Sequence, residues 1–195
     1  MRHALIALTL MAAACGSALP SRYVIEHDLG AYAFRRYQKS FDIEIPIADN
    51  AATGYTAAYL QRTGRDQVDV ITAFVTVYAR ANALAAEAHT SLSTLAGYTL
   101  KNAELSGQNV WLLEGNGREH WCIWVSENRI VKIGAPNDRA FPEAVIDAYA
   151  ALYPSDLNEH GSARPDAASA GQPKVANDDA SERDVPANLR ESAPR

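Results

Sequence analysis

The sequence predicts an α+β domain in which a mostly antiparallel sheet of about six strands packs with two helices. Alternating apolar and polar residues recur along the chain, short turn sequences separate these runs, and the apolar period rises to about 3.6 residues in two places. About 180 residues follow the apolar N-terminal run, and 48% of the chain is hydrophobic, which suits one domain with a real core. We expect that domain over residues 23–157.

The first predicted elements are strands. The segment 23–47 shows alternation of apolar and polar side chains, most clearly over 41–47, which predicts a half-buried strand, and Pro46 on the polar side indicates a sheet edge or a strand end. Residues 55–63 and 68–79 flank the sequence GRDQ and predict a hairpin. Apolar side chains occupy both faces of 68–79, so we expect a central strand there.

Helical periodicity then appears over 82–95, and Gly97 follows as a stop. Four further runs, at 98–105, 109–114, 119–125 and 129–133, have strand patterns and are separated by turn residues that include Asn116-Gly117. These runs predict an antiparallel meander. A second helix is predicted from Phe141 to Pro154.

The composition changes after Leu157. No aromatic residue follows Tyr153, and small, polar and proline residues dominate 158–195. Such a segment buries too little apolar surface to offset the entropy of ordering it. The sequence therefore predicts a disordered C-terminal tail over 158–195.

The N-terminus has the features of an export signal. Met1, Arg2 and His3 give a positively charged start, and an apolar run of eleven residues, 4–14, ends in three alanines. A spanning helix needs about 20 apolar residues. Only Thr9 is polar within the run, so it has no polar face of the kind a core helix presents to water. Residues 1–14 therefore predict a signal peptide.

Cys15 follows the small residues directly. This stretch resembles the signal of bacterial lipoproteins, in which small residues precede a cysteine that is acylated and becomes the N-terminus. The resemblance covers residues 1–17 only. It implies that Cys15 is the lipid attachment site and that 15–22 form the lipidated N-terminus and a short linker. It also implies a protein anchored to a membrane of the bacterial cell envelope, facing the periplasm or the exterior.

Two details refine this interpretation. Gly16 stands where an aspartate often marks retention in the inner membrane, which favours the outer membrane in a cell that has one. Ala12 stands where such signals usually have leucine. Ala12-Ala13-Ala14 also fits the A-x-A site of the ordinary signal peptidase, so simple secretion remains an alternative.

Charge argues against a nucleic-acid partner. The formal net charge is −5, and the chain has no dense run of Lys or Arg. Arg35-Arg36 is an isolated pair of the kind that usually lies in solvent.

The stretch EHWCIW contains the residues that most suggest chemistry. In a strand, His120 and Cys122 share one face, while Glu119 points to the other. The Cα atoms of His120 and Cys122 would lie about 6.6 Å apart. This separation is long for a nucleophile and its general base. Trp121, Ile123 and Trp124 surround the thiol in sequence, so we expect a buried and inert cysteine. If Cys15 carries lipid, Cys122 has no partner for a disulfide; otherwise these two cysteines can pair.

No metal or cofactor motif is present. The five histidines are far apart, so a site built from His27, His89 and His120 would need the fold to gather them. The sequence GNGR indicates a hairpin turn rather than a phosphate loop. Trp111, Trp121 and Trp124 could form a ligand-stacking platform, although most aromatic residues in strands pack in the core. We therefore assign no catalytic, cofactor or metal residue.

Two classes of function remain. The sequence favours a non-catalytic accessory or binding module, held at a membrane by lipid, whose partner is an envelope protein, a peptide or a wall component. The alternative is a small secreted hydrolytic enzyme that uses His120 and Cys122.

Overall fold

A computed structural model describes residues 19–40, 43–65, 68–116, 120–135 and 140–165. The strands in these ranges are β1 (Ala33–Ser40), β2 (Ala52–Arg62), β3 (Val68–Tyr78), β4 (Tyr98–Leu105), β5 (Gln108–Gly115), β6 (His120–Ser126) and β7 (Arg129–Ala135), and the helices are α1 (Leu84–Ser93) and α2 (Glu143–Leu152). The strands form one antiparallel sheet in the order β1-β2-β3-β7-β6-β5-β4. The predicted α+β class is confirmed, with seven strands in the described residues instead of about six.

Most predicted elements lie where the pattern put them. β2 and β3 form the predicted hairpin, and β3 is an interior strand because it pairs with β2 on one side and β7 on the other. The predicted meander corresponds to β4, β5, β6 and β7. Both helices fall inside their predicted ranges. No helix in the described part of the chain is long and apolar enough to span a bilayer.

The strand predicted within 23–47 does not lie where the alternation is clearest. Residues 43–47, the described part of that run, are irregular, while the first strand of the sheet is Ala33–Ser40. Ile45 is buried because its segment lies against β3, where the Tyr78 hydroxyl donates to the Ile45 carbonyl at 2.6 Å. A non-strand segment that buries one side chain in two can thus produce the same alternation.

The α2 helix packs on one face of the sheet through buried polar contacts. The hydroxyls of Tyr59 on β2 and Tyr149 on α2 are 2.9 Å apart, and Tyr59 donates to the Ile25 carbonyl at 2.6 Å. The indole N–H of Trp124 donates to the Tyr153 carbonyl at 2.7 Å. Buried polar groups cost free energy when unpaired, so these bonds fix where the helix end can lie.

The α1 helix packs on the opposite face. Trp111 on β5 pairs with Ile123 on β6, and residues paired across two strands share a face of the sheet. Trp124 follows Ile123 and points to the face that holds α2. The Trp111 side chain therefore points away from α2. The ring of His89 on α1 meets the Trp111 ring edge to face, with centroids 5.7 Å apart. The buried residues of α1 are Leu84, Ala85, Ala88 and Leu92.

Ordered structure continues past the predicted domain end at Leu157. Residues 158–165 form a turn that packs on the α1 face, where the indole N–H of Trp111 donates to the Gly161 carbonyl at 3.0 Å. Asn102 on β4 donates to the His160 carbonyl at 2.9 Å. Polar side chains of the sheet thus hold a segment that has almost no apolar side chain of its own. The rest of the predicted tail, 166–195, lies outside the described residues.

Candidate functional site

The predicted lipid attachment site, Cys15, lies outside the described residues, which begin at Leu19. The chain turns soon after that point, where the Tyr23 N–H donates to the Pro20 carbonyl at 2.9 Å. The guanidinium of Arg22 lies over the ring of Tyr37 on β1, 4.8 Å from its centroid. The N-terminal segment therefore meets the domain beside β1.

His120 and Cys122 share a face of β6, as the strand pattern predicted, but their surroundings do not activate the thiol. Cys122 is fully buried and is a free cysteine. Burial raises the pKa of its thiol well above the usual value. His120 lies against the ring of Phe141, with centroids 5.8 Å apart, and its Nε2 is a buried atom without a hydrogen-bond partner among the described residues. A nucleophilic cysteine needs access and a neighbouring positive charge, and this site offers a closed apolar environment instead.

We expect the Cys122 thiol to resist alkylation by iodoacetamide in the folded protein at pH 8 and to react fully once the chain is unfolded in guanidinium, because a buried thiol with a raised pKa forms little thiolate. The variant Cys122→Ala should fold and should lose about 1 to 2 kcal/mol of unfolding free energy through lost packing. Mass spectrometry of the timed reaction measures the rate. Rapid native-state alkylation that slows in His120→Ala would instead support the enzyme hypothesis.

The fold does not gather the histidines. His89 lies on α1 against Trp111, and His120 lies on the other side of the sheet beside Phe141. Within the described ranges, no group of three or more His, Cys, Asp and Glu side chains is placed to hold a metal ion.

Two of the three tryptophans cannot stack on a ligand. Trp111 and Trp124 are fully buried and donate their indole N–H groups to backbone carbonyls. Trp121 is only partly buried, and its ring faces the Lys132 ammonium, with Nζ 3.8 Å from the ring centroid. Lys132 also pairs with the Glu44 carboxylate at 2.5 Å. The stacking hypothesis is therefore wrong for Trp111 and Trp124, and a cation already covers Trp121.

A groove of about 770 Å³ lies beside α1. One wall is the start of α1 with the loop before it, and the other is the chain from Asp156 to Ala163. Val125 on β6 lies at its base and is nearly fully buried. The volume falls within the range of pockets that hold small ligands, about 300 to 1,000 Å³.

The wall at 156–163 is held by the sheet. The Asp156 N–H donates to the Val125 carbonyl at 2.8 Å, and the Trp111 and Asn102 bonds hold the turn beyond it. Gly161 has φ +71°, and a Cβ there would lie 2.3 Å from Asn102 Oδ1. Only glycine therefore fits this close approach. The opposite wall includes Ala83, which has a left-handed φ of 60° and precedes α1 without a side-chain cap.

The groove combines an apolar lining with charged groups. Six alanines line it: Ala79, Ala81, Ala83, Ala85, Ala86 and Ala163. Arg80, His89 and His160 contribute cationic or titratable nitrogens, while Glu127 and Asp156 contribute carboxylates. This composition suits a ligand that has short apolar groups together with charged or hydrogen-bonding groups. The sequence did not predict this site because its two walls are far apart in the chain. The alanines that line it form no recognisable sequence motif.

Comparison of the chain with protein-family models, curated proteins and solved structures finds no significant match.

Proposed function

We propose that this protein is a lipid-anchored binding module of the bacterial cell envelope, attached through Cys15, that acts without catalysis. The groove beside α1 is its recognition site. The ligand is a peptide or a wall-derived fragment, or an exposed segment of an envelope protein, small enough to enter a groove of about 770 Å³.

The observation that carries the binding role is the construction of this groove. Its two walls come from separate parts of the chain, and the sheet hydrogen-bonds the wall at 156–163 in place. A site held this way is largely formed before the ligand arrives, which reduces the entropy lost on binding. The alternative hydrolytic function is less favoured because Cys122 is buried and its pKa is raised by burial.

Filling the groove should weaken binding of the ligand. Ala86 is an exposed residue of α1 that lines the groove, so Ala86→Trp places an indole in the space a ligand would occupy. We expect formaldehyde cross-linking in living cells to give adducts with the wild type and roughly tenfold fewer with the variant, a loss of about 1.4 kcal/mol or more. Mass spectrometry of the purified adducts identifies and counts the partners.

Ala151→Trp is the matched control, since Ala151 is also an exposed alanine on a ten-residue helix, α2, and is not among the groove residues. It should keep the wild-type adducts, and both variants should retain the wild-type circular dichroism spectrum. The same adducts in Ala86→Trp as in the wild type, with both chains folded, would contradict the assignment of the groove.

A further inference from the structure

One buried side chain, Trp111, contacts both walls of the groove. Its ring meets the ring of His89 on the α1 wall, with centroids 5.7 Å apart. Its indole N–H donates to the Gly161 carbonyl on the opposite wall at 3.0 Å. His89 and Gly161 both line the groove, whereas Trp111 is fully buried behind them. The distance between the two walls therefore depends on the position of this indole.

The wall that contains Gly161 has a turn that holds its own shape. We call residues 158–164 the strap. The side-chain oxygen of Asn158 accepts hydrogen bonds from the N–H groups of His160 and Ser162, at 2.9 and 3.1 Å, and the Gly161 N–H donates to the Asn158 carbonyl at 2.9 Å. All of these bonds lie within the strap, so it can move as a unit without losing them.

The strap is held to the sheet by few contacts. Its sequence, NEHGSAR, has one apolar side chain, Ala163, and that residue is exposed. Within the described part of the chain, the sheet side chains that donate to the strap are Trp111 and Asn102, the latter to the His160 carbonyl at 2.9 Å. Leu157, just before the strap, is fully buried and fixes its base. Segments with few apolar contacts open at a lower free energy than the whole domain.

We propose that the strap is a movable wall of the groove and that Trp111 is the positioning residue that holds it in place. Release of the Gly161 carbonyl from the indole lifts the strap and widens the groove for the ligand, and the restored bond holds the groove at its width. The role of this motion in ligand binding rests on the proposed function of the groove. The motion itself does not, so it can be tested without a ligand.

Hydrogen exchange of the indole groups tests the motion. In NMR spectra of the mature chain from residue 15, with Cys15→Ser, the indole N–H groups give separate signals. Trp124 is the internal reference, because it is also fully buried and donates to the Tyr153 carbonyl at 2.7 Å on the opposite face. We expect the Trp111 hydrogen to exchange roughly tenfold faster or more, since lifting the strap exposes it, whereas exposing Trp124 requires the end of α2 to detach.

Two variants test whether this opening is local. Asn102→Ala removes the other bond from the sheet, so it should speed exchange at Trp111 about fivefold, the usual net effect of one hydrogen bond, and leave Trp124 unchanged. Asn128→Ala is the matched control, since Asn128 donates to the Tyr78 carbonyl at 2.6 Å and holds the β6–β7 turn instead. It should leave exchange at Trp111 unchanged. Equal exchange of both indoles, or the same acceleration by both variants, would overturn the proposal.

A second experiment tests the effect of Trp111 on ligand capture. Trp111→Phe keeps a ring beside His89 but cannot donate to Gly161, and Trp124→Phe is the matched control on the opposite face. An unheld wall must be ordered on binding, so we expect Trp111→Phe to give roughly fivefold fewer cross-linked adducts than Trp124→Phe. Equal adducts from these two folded variants, where Ala86→Trp loses them, would overturn the role of Trp111 and leave the groove assignment intact. If Ala86→Trp also keeps its adducts, the proposed function fails, and indole exchange alone decides whether the strap moves.

Discussion

The folded domain should lose its tertiary structure between about pH 10 and pH 12, because buried phenols and a buried thiol cannot ionise in place. Burial raises the pKa of Tyr149 to about 12, and it raises the pKa values of Tyr59 and Tyr78 further. It also raises the pKa of Cys122. In the unfolded chain, the phenols titrate near 10 and the thiol near 8.5.

The hydrogen bonds explain why the neutral phenol is needed. Tyr59 donates to the Ile25 carbonyl and Tyr78 to the Ile45 carbonyl, each at 2.6 Å. A phenolate has no proton to donate, so ionisation would leave a buried charge facing a carbonyl oxygen. The pKa of Tyr153 is also raised by burial, although the positive charge of Arg129 partly opposes the rise.

The direction and size of this loss of stability follow from proton linkage. A group whose pKa is higher in the folded state than in the unfolded state contributes its full stabilisation of the fold below the unfolded pKa. That stabilisation is lost as the pH rises toward the folded pKa. Between those two pKa values, each such group lowers the free energy of unfolding by about 1.4 kcal/mol per pH unit. For Tyr59, Tyr78, Tyr149 and the Cys122 thiol together, the lost stability is on the order of 7 kcal/mol by pH 11. The total stability of a domain is about 5 to 15 kcal/mol. Unfolding is therefore expected.

Absorbance near 295 nm, which reports phenolate, and near-ultraviolet circular dichroism should be followed together against pH. We expect part of the tyrosine signal to titrate near pH 10 with the fold intact, and the remainder to appear together with the loss of tertiary signal. Cys122→Ala should shift that second step to slightly higher pH, after allowance for its lower stability at neutral pH. Titration of every tyrosine near pH 10 in a folded protein would contradict the burial of these rings.

The sequence predicted those parts of the fold in which the apolar pattern reports burial directly. The meander from β4 to β7 has clear turns and alternation, and its strands match the prediction within a residue or two. β1 lies within the predicted segment 23–47 but away from its clearest alternation, because it is an edge strand whose residues are mostly exposed or half-buried. Residues 43–47 misled for the opposite reason, since Ile45 is buried by contact with β3 without being in the sheet.

The groove could not be derived from the sequence because it depends on contacts between distant residues. Gly161 belongs to a polar stretch that looks disordered by composition, yet Trp111 and Asn102 on two strands bind its turn. By contrast, the burial of Cys122 was predictable from its apolar neighbours in an interior strand, and the structure confirms it. The anchor at Cys15 lies outside the described residues, so it remains a prediction from the signal alone.

Replacing Cys15 with serine should release the protein from the membrane completely. In the proposed anchor, Cys15 carries lipid on its sulfur and a further acyl chain on its N-terminal amine. Each buried methylene contributes about 0.8 kcal/mol, and two or more chains hold a protein stably where a single chain does not. We therefore expect the wild type to stay with membranes through high-salt and carbonate washes, and Cys15→Ser to appear in the soluble fraction.

Mass spectrometry of the mature N-terminus makes this result specific. The wild type should begin at an acylated Cys15, whereas the serine variant, with Ala12-Ala13-Ala14 still in place, should be cut as an ordinary secreted protein. Cys122→Ser is the matched control, since it removes the other cysteine of the chain and should leave the anchor intact. A soluble wild type that begins at an unmodified Cys15 would instead support simple secretion, and Cys15 would then be free to form a disulfide. The burial of Cys122 argues against such a bond in the folded domain, because a partner thiol would have to reach a side chain with no exposed surface.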